Sequence, residues 1–199
     1  MLYCIKTDSE ITMDIFDKAL IFATEKHSGQ TRRENNAPYI VHPIEAATVV
    51  STMSGDRELL AAALLHDVIE DAGVTADELR EMFGDRVTEL VLSETEDKRK
   101  DRPPTETWQI RKAESLEELR STNDIAVKML WMGDKLSNMR SFYRLYLEKG
   151  NDLWQGFHQK DPKIQAWYYR TVAEYLAELE GYAVYKEYVF LVNKIFENA

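Results

Sequence analysis

Thiols are almost absent from this 199-residue chain, in which Cys4 stands alone. No internal disulfide can form, a cysteine-based metal site is excluded, and the usage fits a reducing compartment. Basic residues are in short supply as well. Lys and Arg total 25 against 35 Asp and Glu, a formal net charge of −10, which argues against a protein held to nucleic acid by phosphate contacts. A strongly anionic small ligand would need locally placed cations or a metal. No apolar run approaches membrane-spanning length, and the N-terminal MLYCIKTDSEITMD has no basic segment followed by an apolar one. The expectation is a cytoplasmic protein with neither membrane nor nucleic-acid partner. Strand-like alternation, internal repeats and linkers are missing too.

What is present is helical. The hydrophobic fraction of 44% and charged fraction of 30% are ordinary for a globular protein long enough to build a real core. In ITMDIFDKALIFATEKH the apolar positions Ile15, Phe16, Leu20 and Ile21 recur at helical spacing and end before Ser28-Gly29. Pro43 suits the first turn of a second helix that stops near Gly55. A third helix is expected over about Asp56 to Glu70. Thr75-Ala76-Asp77-Glu78 reads as a reciprocal capping box, with Gly84 ending that helix and another running from Asp85 to Glu94. After the polar loop SETEDKRKDRPP, helices are expected over Thr105–Ser121, Asp124–Lys149, from Asp161-Pro162 onward, and over Tyr182–Glu197. The chain is read as a single all-α domain over residues 1–199.

The stretch LLHDVIED, residues 64–71, sets a histidine and three carboxylates directly after an apolar run. Burying such groups is costly unless they are paired or hold a metal. Helix neighbours point about 100° apart, so His66 and Asp67 can face one ion only near a helix end. Glu70 and Asp71 follow them by four residues each, one turn along, where they could orient and deprotonate a water. His42 stands at a loop-to-helix junction. Asp134 interrupts the apolar MLWMGDKL, with Asn138 four residues on. His42, His66, Asp67 and Asp134 would make a mixed nitrogen and oxygen site suited to manganese, iron or zinc.

At these positions the chain resembles the HD-domain hydrolases of the RelA/SpoT type, and among them the small stand-alone members. The resemblance rests on HSGQTR at 27–32, PYIVHP at 38–43, AALLHDVIED at 62–71, Phe83-Gly84 before Val91, TEDK at 95–98 and DKLSNMR at 134–140. These blocks keep the family's order from about Ala23 to Arg140. The resemblance implies an HD helical bundle with a divalent metal in a central cleft, and Mn²⁺-dependent removal of the 3′-pyrophosphate from guanosine tetra- or pentaphosphate. It implies His42, His66, Asp67 and Asp134 as ligands of one Mn²⁺ ion, and Glu70 and Asp71 as the pair acting on water. It also implies Arg32 against the base, Asn138 lining the nucleotide site and Lys98 near the phosphates. Mutual repulsion is expected to push the pKa values of the acidic pair apart. Arg32-Arg33 and Lys98-Arg99-Lys100 form basic islands on an acidic chain.

Two positions depart from the family's Asp-Arg-Leu-His-Asn-Met, at Lys135 and Ser137, and neither matches a ligand. The loop from Arg32 to Pro38 is one residue longer than in many long forms. The partner expected is a small nucleotide. Alternatives are another phosphorylated nucleotide, an adenosine alarmone or NADPH, or a non-catalytic regulator of an alarmone-making partner. The C-terminal helices, about 162–197, match less distinctively. Their aromatics, Trp167, Tyr168 and Tyr169 together with Trp154, read as core or as a homo-oligomer interface rather than as a ligand cage.

Overall fold

Short acceptor side chains start the helices. Asp14 accepts from the Phe16 amide at 2.9 Å, Asp56 from Glu58 at 2.9 Å, Asp124 from Ala126 at 2.9 Å and Asp161 from Lys163 at 2.8 Å. Each contact satisfies a donor that the first helical turn leaves without an intrahelical partner. The computed structural model describes residues 13–32, 35–99 and 101–197, so Cys4, Arg33 and Lys100 lie outside the described residues. The helices are α1 (Ile15–Lys26), α2 (Val41–Ser51), α3 (Arg57–Leu65), α4 (Val68–Ala72), α5 (Ala76–Leu92), α6 (Pro104–Ser121), α7 (Ile125–Lys149), α8 (Pro162–Tyr175) and α9 (Ala183–Ile195). Among the described residues no strand forms, and one antiparallel bridge joins Thr31 to Pro38. The fold is all-α, as the patterning predicts, and among the described residues no helix is long and apolar enough to cross a membrane.

Helix α3 is apolar on every side, and all seven residues from Leu59 to Leu65 are buried. A helix of that composition belongs inside a bundle. It packs against α1, α2, α5 and α7, and burying each leucine contributes about 1.5–3 kcal/mol. The end of this rigid element is where His66 emerges. Helix α7 also packs against α2 and α9. Gly133 permits the close approach to α2, because a Cβ there would lie 2.8 Å from Val50 Cγ2 and 2.9 Å from the Ala46 carbonyl.

Two of three local expectations need correction. The helix predicted over Asp56–Glu70 is two helices, α3 and α4, broken at His66-Asp67. Asp67 has φ −97° and ψ −5°, and the break turns both side chains toward one point, which a continuous helix would prevent. At Gly84 the expectation holds: the backbone leaves the helical region (φ 82°, ψ 173°), ending the first of the two expected helices, and the second follows directly within α5. A positive φ of this kind suits glycine. The capping box is formed on one side: Thr75 Oγ1 accepts from the Glu78 amide at 3.1 Å, while the Glu78 carboxylate pairs with Lys26 of α1 at 2.8 Å.

Candidate metal centre and active site

Four potential ligands arrive from three parts of the fold. His42 comes from the first turn of α2, His66 and Asp67 from the break between α3 and α4, and Asp134 from mid-α7. Nδ1 of His66 donates to the Ala63 carbonyl at 2.9 Å, which assigns a proton to Nδ1 and, in the neutral ring, makes Nε2 the nitrogen with the lone pair. His42 Nδ1 is 2.8 Å from Ser137 Oγ. The two Nε2 atoms then face each other at 3.2 Å. Asp134 Oδ1 lies 2.9 Å from His42 Nε2 and 3.6 Å from His66 Nε2, and Asp67 Oδ2 lies 3.5 and 3.1 Å from the same atoms.

This arrangement fits a divalent cation. Electron-pair donors converge on one point, which is repulsive unless positive charge, from a proton or a cation, sits among them. Neighbouring ligands of one ion with bonds of roughly 2.1 Å are about 3.0–3.4 Å apart, close to the spacings observed. His42, His66 and Asp134 form the compact triplet, their ligand atoms all within 4.8 Å of one another, and Asp67 adjoins it. The field favours cations too. Burial works against a proton on His66, yet the carboxylates of Asp67 and Asp134 hold its pKa well above the ordinary value. Burial likewise disfavours the Asp134 carboxylate, but Lys135 and the two histidines hold its pKa well below the usual range.

Glu70 and Asp71, both on α4, border the same polar cavity of about 190 Å³. Lys98 reaches between them, in contact with Glu70 and 3.1 Å from Asp71. Glu70 also accepts from the Glu96 amide at 3.0 Å. Its pKa is raised, first by burial, against the opposing charge of Lys98 and with a further push from Asp67. The expected repulsion within the acidic pair is therefore not what raises it: burial leads, and a lysine screens the two carboxylates from each other.

Asn138 donates to Asp134 Oδ1 at 2.6 Å and accepts from Arg32 at 3.2 Å. The Arg32 guanidinium lies 5.7 Å from the Tyr39 ring centroid. Arg32, Tyr39, Asp71, Lys98 and Asn138 border both the polar cavity and a wider one of about 540 Å³, whose walls include Phe142 and Phe157. The fold thus brings together all nine residues singled out in the sequence.

Several site residues escape the sequence reading. Tyr39 donates to Asp67 Oδ2 at 2.7 Å and reaches Asp71 at 3.4 Å; its place in the PYIVHP block was the available signal. Glu94 and Glu96 from the segment after α5, Lys112 from α6 and Lys135 from α7 line the inner wall, brought together by the fold. Trp154 is core, stacked on Phe196 at 5.4 Å, and Trp167 is 39% exposed. Tyr168 and Tyr169, buried as expected, also border the polar cavity.

Comparison with known proteins follows the same lines. An HD domain model matches residues 19–160. The guanosine-3′,5′-bis(diphosphate) 3′-pyrophosphohydrolase of Vibrio cholerae serotype O1 is 37% identical over 144 residues, 71% of this chain and 20% of its own length. The chain spans about a fifth of the length of the curated relatives it matches. Among solved structures, lmo0812 of Listeria monocytogenes EGD-e superposes with a TM-score of 0.69 at 30% identity, covering 79% of this chain and 99% of that one. A metazoan ortholog of SpoT that hydrolyzes ppGpp and plays a role in starvation responses superposes with a TM-score of 0.69 at 26% identity, covering 93% and 95%.

Proposed function

The chain belongs to the HD-domain family, and from that membership we propose that it removes the 3′-pyrophosphate from guanosine tetra- or pentaphosphate in a Mn²⁺-dependent reaction, leaving GDP or GTP. The observation that carries the proposal is the convergence of His42, His66, Asp67 and Asp134 beside Glu70 and Asp71 in one polar cavity. Relatives named as pyrophosphohydrolases of this nucleotide, and a neighbour of similar size that hydrolyzes ppGpp, support the substrate.

Those four residues would hold a divalent ion, which would supply Lewis acidity toward a phosphoryl group and toward water. Glu70, with its pKa raised by burial, accepts the proton of the attacking water, and Asp71 orients that water. Water adds to the phosphorus attached to the 3′ oxygen, that phosphorus–oxygen bond breaks, the ribose oxygen takes up a proton, and pyrophosphate leaves. Lys98 sits where it offsets charge on both the acidic pair and the incoming phosphates. Asn138 holds Asp134 and Arg32 in fixed relation. Arg32 offers a flat guanidinium to the base, and the cavity of about 540 Å³ is wide enough for a nucleoside.

The test is release of pyrophosphate from labelled guanosine tetraphosphate by Mn²⁺-loaded protein, with Asp67→Ala as control. Absence of release, with the variant behaving identically, would falsify the proposal. Parallel assays on adenosine alarmones and NADPH test the base, and faster turnover of either overturns the guanine assignment.

A further inference from the structure

One face of α7 serves two ligands at once. Asp134 is a ligand candidate, and Ser137, three residues on, reaches across to His42 of α2 at 2.8 Å. A mid-helix serine ordinarily bonds back to the carbonyl four residues earlier, but Ser137 Oγ instead donates to Glu45 Oε2 at 2.8 Å. Glu45 also accepts from Arg140 at 3.3 Å, and Arg140 makes a two-pronged pair with Glu187 of α9 at 2.7 and 2.8 Å. His42 and Ser137 are both buried.

Proton bookkeeping gives this chain a direction. An ionised carboxylate only accepts, so Glu45 takes the single hydroxyl proton of Ser137. The serine oxygen must then accept from His42, which puts an imidazole proton on Nδ1 and leaves Nε2 as the nitrogen that can offer its lone pair to a cation shared with His66, Asp67 and Asp134. We infer that Ser137 and Glu45 are positioning residues that fix the tautomer and ring orientation of His42 as a metal ligand, braced by Arg140 of α7 and, through it, by Glu187 of α9, a helix beyond the matched HD segment. A hydrogen-bonded partner on the far nitrogen of a ligating histidine orients it and raises its basicity. In this chain a hydroxyl carries that link between imidazole and carboxylate. The inference rests on the metal-site reading above.

Two variants test it, Ser137→Ala and Glu45→Ala, with two readouts. One is Mn²⁺ affinity by competition with a chelator. The other is the hydrogen-bonded Nδ1–H signal of His42 in spectra of ¹⁵N-labelled, metal-free protein. Ser137→Ala should bind Mn²⁺ about 10- to 100-fold more weakly and lose the Nδ1–H signal, and Glu45→Ala should show a smaller loss in both. Affinity within twofold of the parent, with the signal retained, overturns the positioning role. Should Ser137→Ala not fold, Glu45→Ala decides by the same two measurements. If the parent protein binds no Mn²⁺, the metal-site reading falls; loss of the Nδ1–H signal in Ser137→Ala then still upholds the tautomer assignment, and its retention overturns that as well.

Discussion

Lys135 Nζ lies 2.9 Å from Glu94 Oε1 inside the bundle, with the two side chains only 9% and 4% exposed. The same ammonium touches Asp134 and sits 4.5 Å from the Trp131 ring centroid. The Asp134 carboxylate, a candidate metal ligand, is thus held from behind by a buried cation, which is held in turn by a second carboxylate. Breaking a buried pair strands the remaining charge, a loss of roughly 3–5 kcal/mol. Lys135→Met should therefore lower the urea stability of metal-free protein by about that amount. A loss below about 1 kcal/mol would mean that Glu94 and Asp134 find other partners.

Lys98 opposes the effect of burial on Glu70, so its removal has a predictable sign. Without that charge the pKa of Glu70 rises further above the usual carboxylate value. If Glu70 accepts the proton in the reaction, Lys98→Ala should move the acid limb of the kcat/KM profile to higher pH, and Lys98→Arg should largely restore it. A limb that stays in place in Lys98→Ala would assign the proton to another group.

The contact between α2 and α7 depends on a missing side chain. Gly133→Ala would place a methyl 2.9 Å from the Ala46 carbonyl, a backbone atom that cannot swing aside, and 2.8 Å from Val50. Overpacking of this kind costs about 1–3 kcal/mol. Because His42 and Asp134 belong to the same two helices, Mn²⁺ affinity should fall along with the denaturation midpoint. A midpoint equal to that of the parent would show that the helices separate without strain.

Metal loading offers a check that needs no substrate. A ligand that binds only the native state at 100 times its Kd adds about 2.7 kcal/mol. Saturating Mn²⁺ should raise the melting temperature of the parent protein and leave that of Asp134→Ala unmoved. Equal shifts in both would place the ion elsewhere.

What the sequence discloses depends on the range of the interaction. The apolar run from Leu59 to Leu65, the capping aspartates and the cluster at 66–71 are local patterns, and they forecast α3, the helix starts and the position of the site. The resemblance then brings His42 and Asp134 to that cluster, which spacing alone cannot do. Lys135 and Glu94 are 41 residues apart, and Ser137 and Glu45 are 92 apart. Each looks like an ordinary polar residue in its own segment, and only packing makes partners of them. The break between α3 and α4 was hidden for a different reason. Nothing in LLHDVIED stops a helix by propensity, and the interruption coincides with His66 turning its Nδ1 to the Ala63 carbonyl.

Glu96 provides the clearest prediction for acid stability. Arg111 lies 2.5 Å from Glu96 Oε2 and Lys112 2.6 Å from Oε1, with Ser115 donating at 3.1 Å. Burial alone would raise the pKa of this carboxylate, but Lys112, then Lys135 and Arg111, hold it down to about 2 against an ordinary 4.5. A group depressed in the folded state stabilises the protein fully above its unfolded pKa, and the contribution fades as pH falls through the folded value. The window is therefore from pH 4.5 down to about 2, and the linkage is at most about 3 kcal/mol at 1.36 kcal/mol per unit. Glu96→Gln removes the titration while keeping the shape. At pH 6 the variant should be less stable than the parent by up to that amount. The gap should narrow as the pH approaches 2, because the parent loses its advantage while the other carboxylates titrate alike in both proteins. Denaturant midpoints measured from pH 6 to 2 read this directly. A gap that stays constant across the range would mean that the amide loses packing rather than charge, and that the pairing with Lys112 and Arg111 contributes nothing to acid stability.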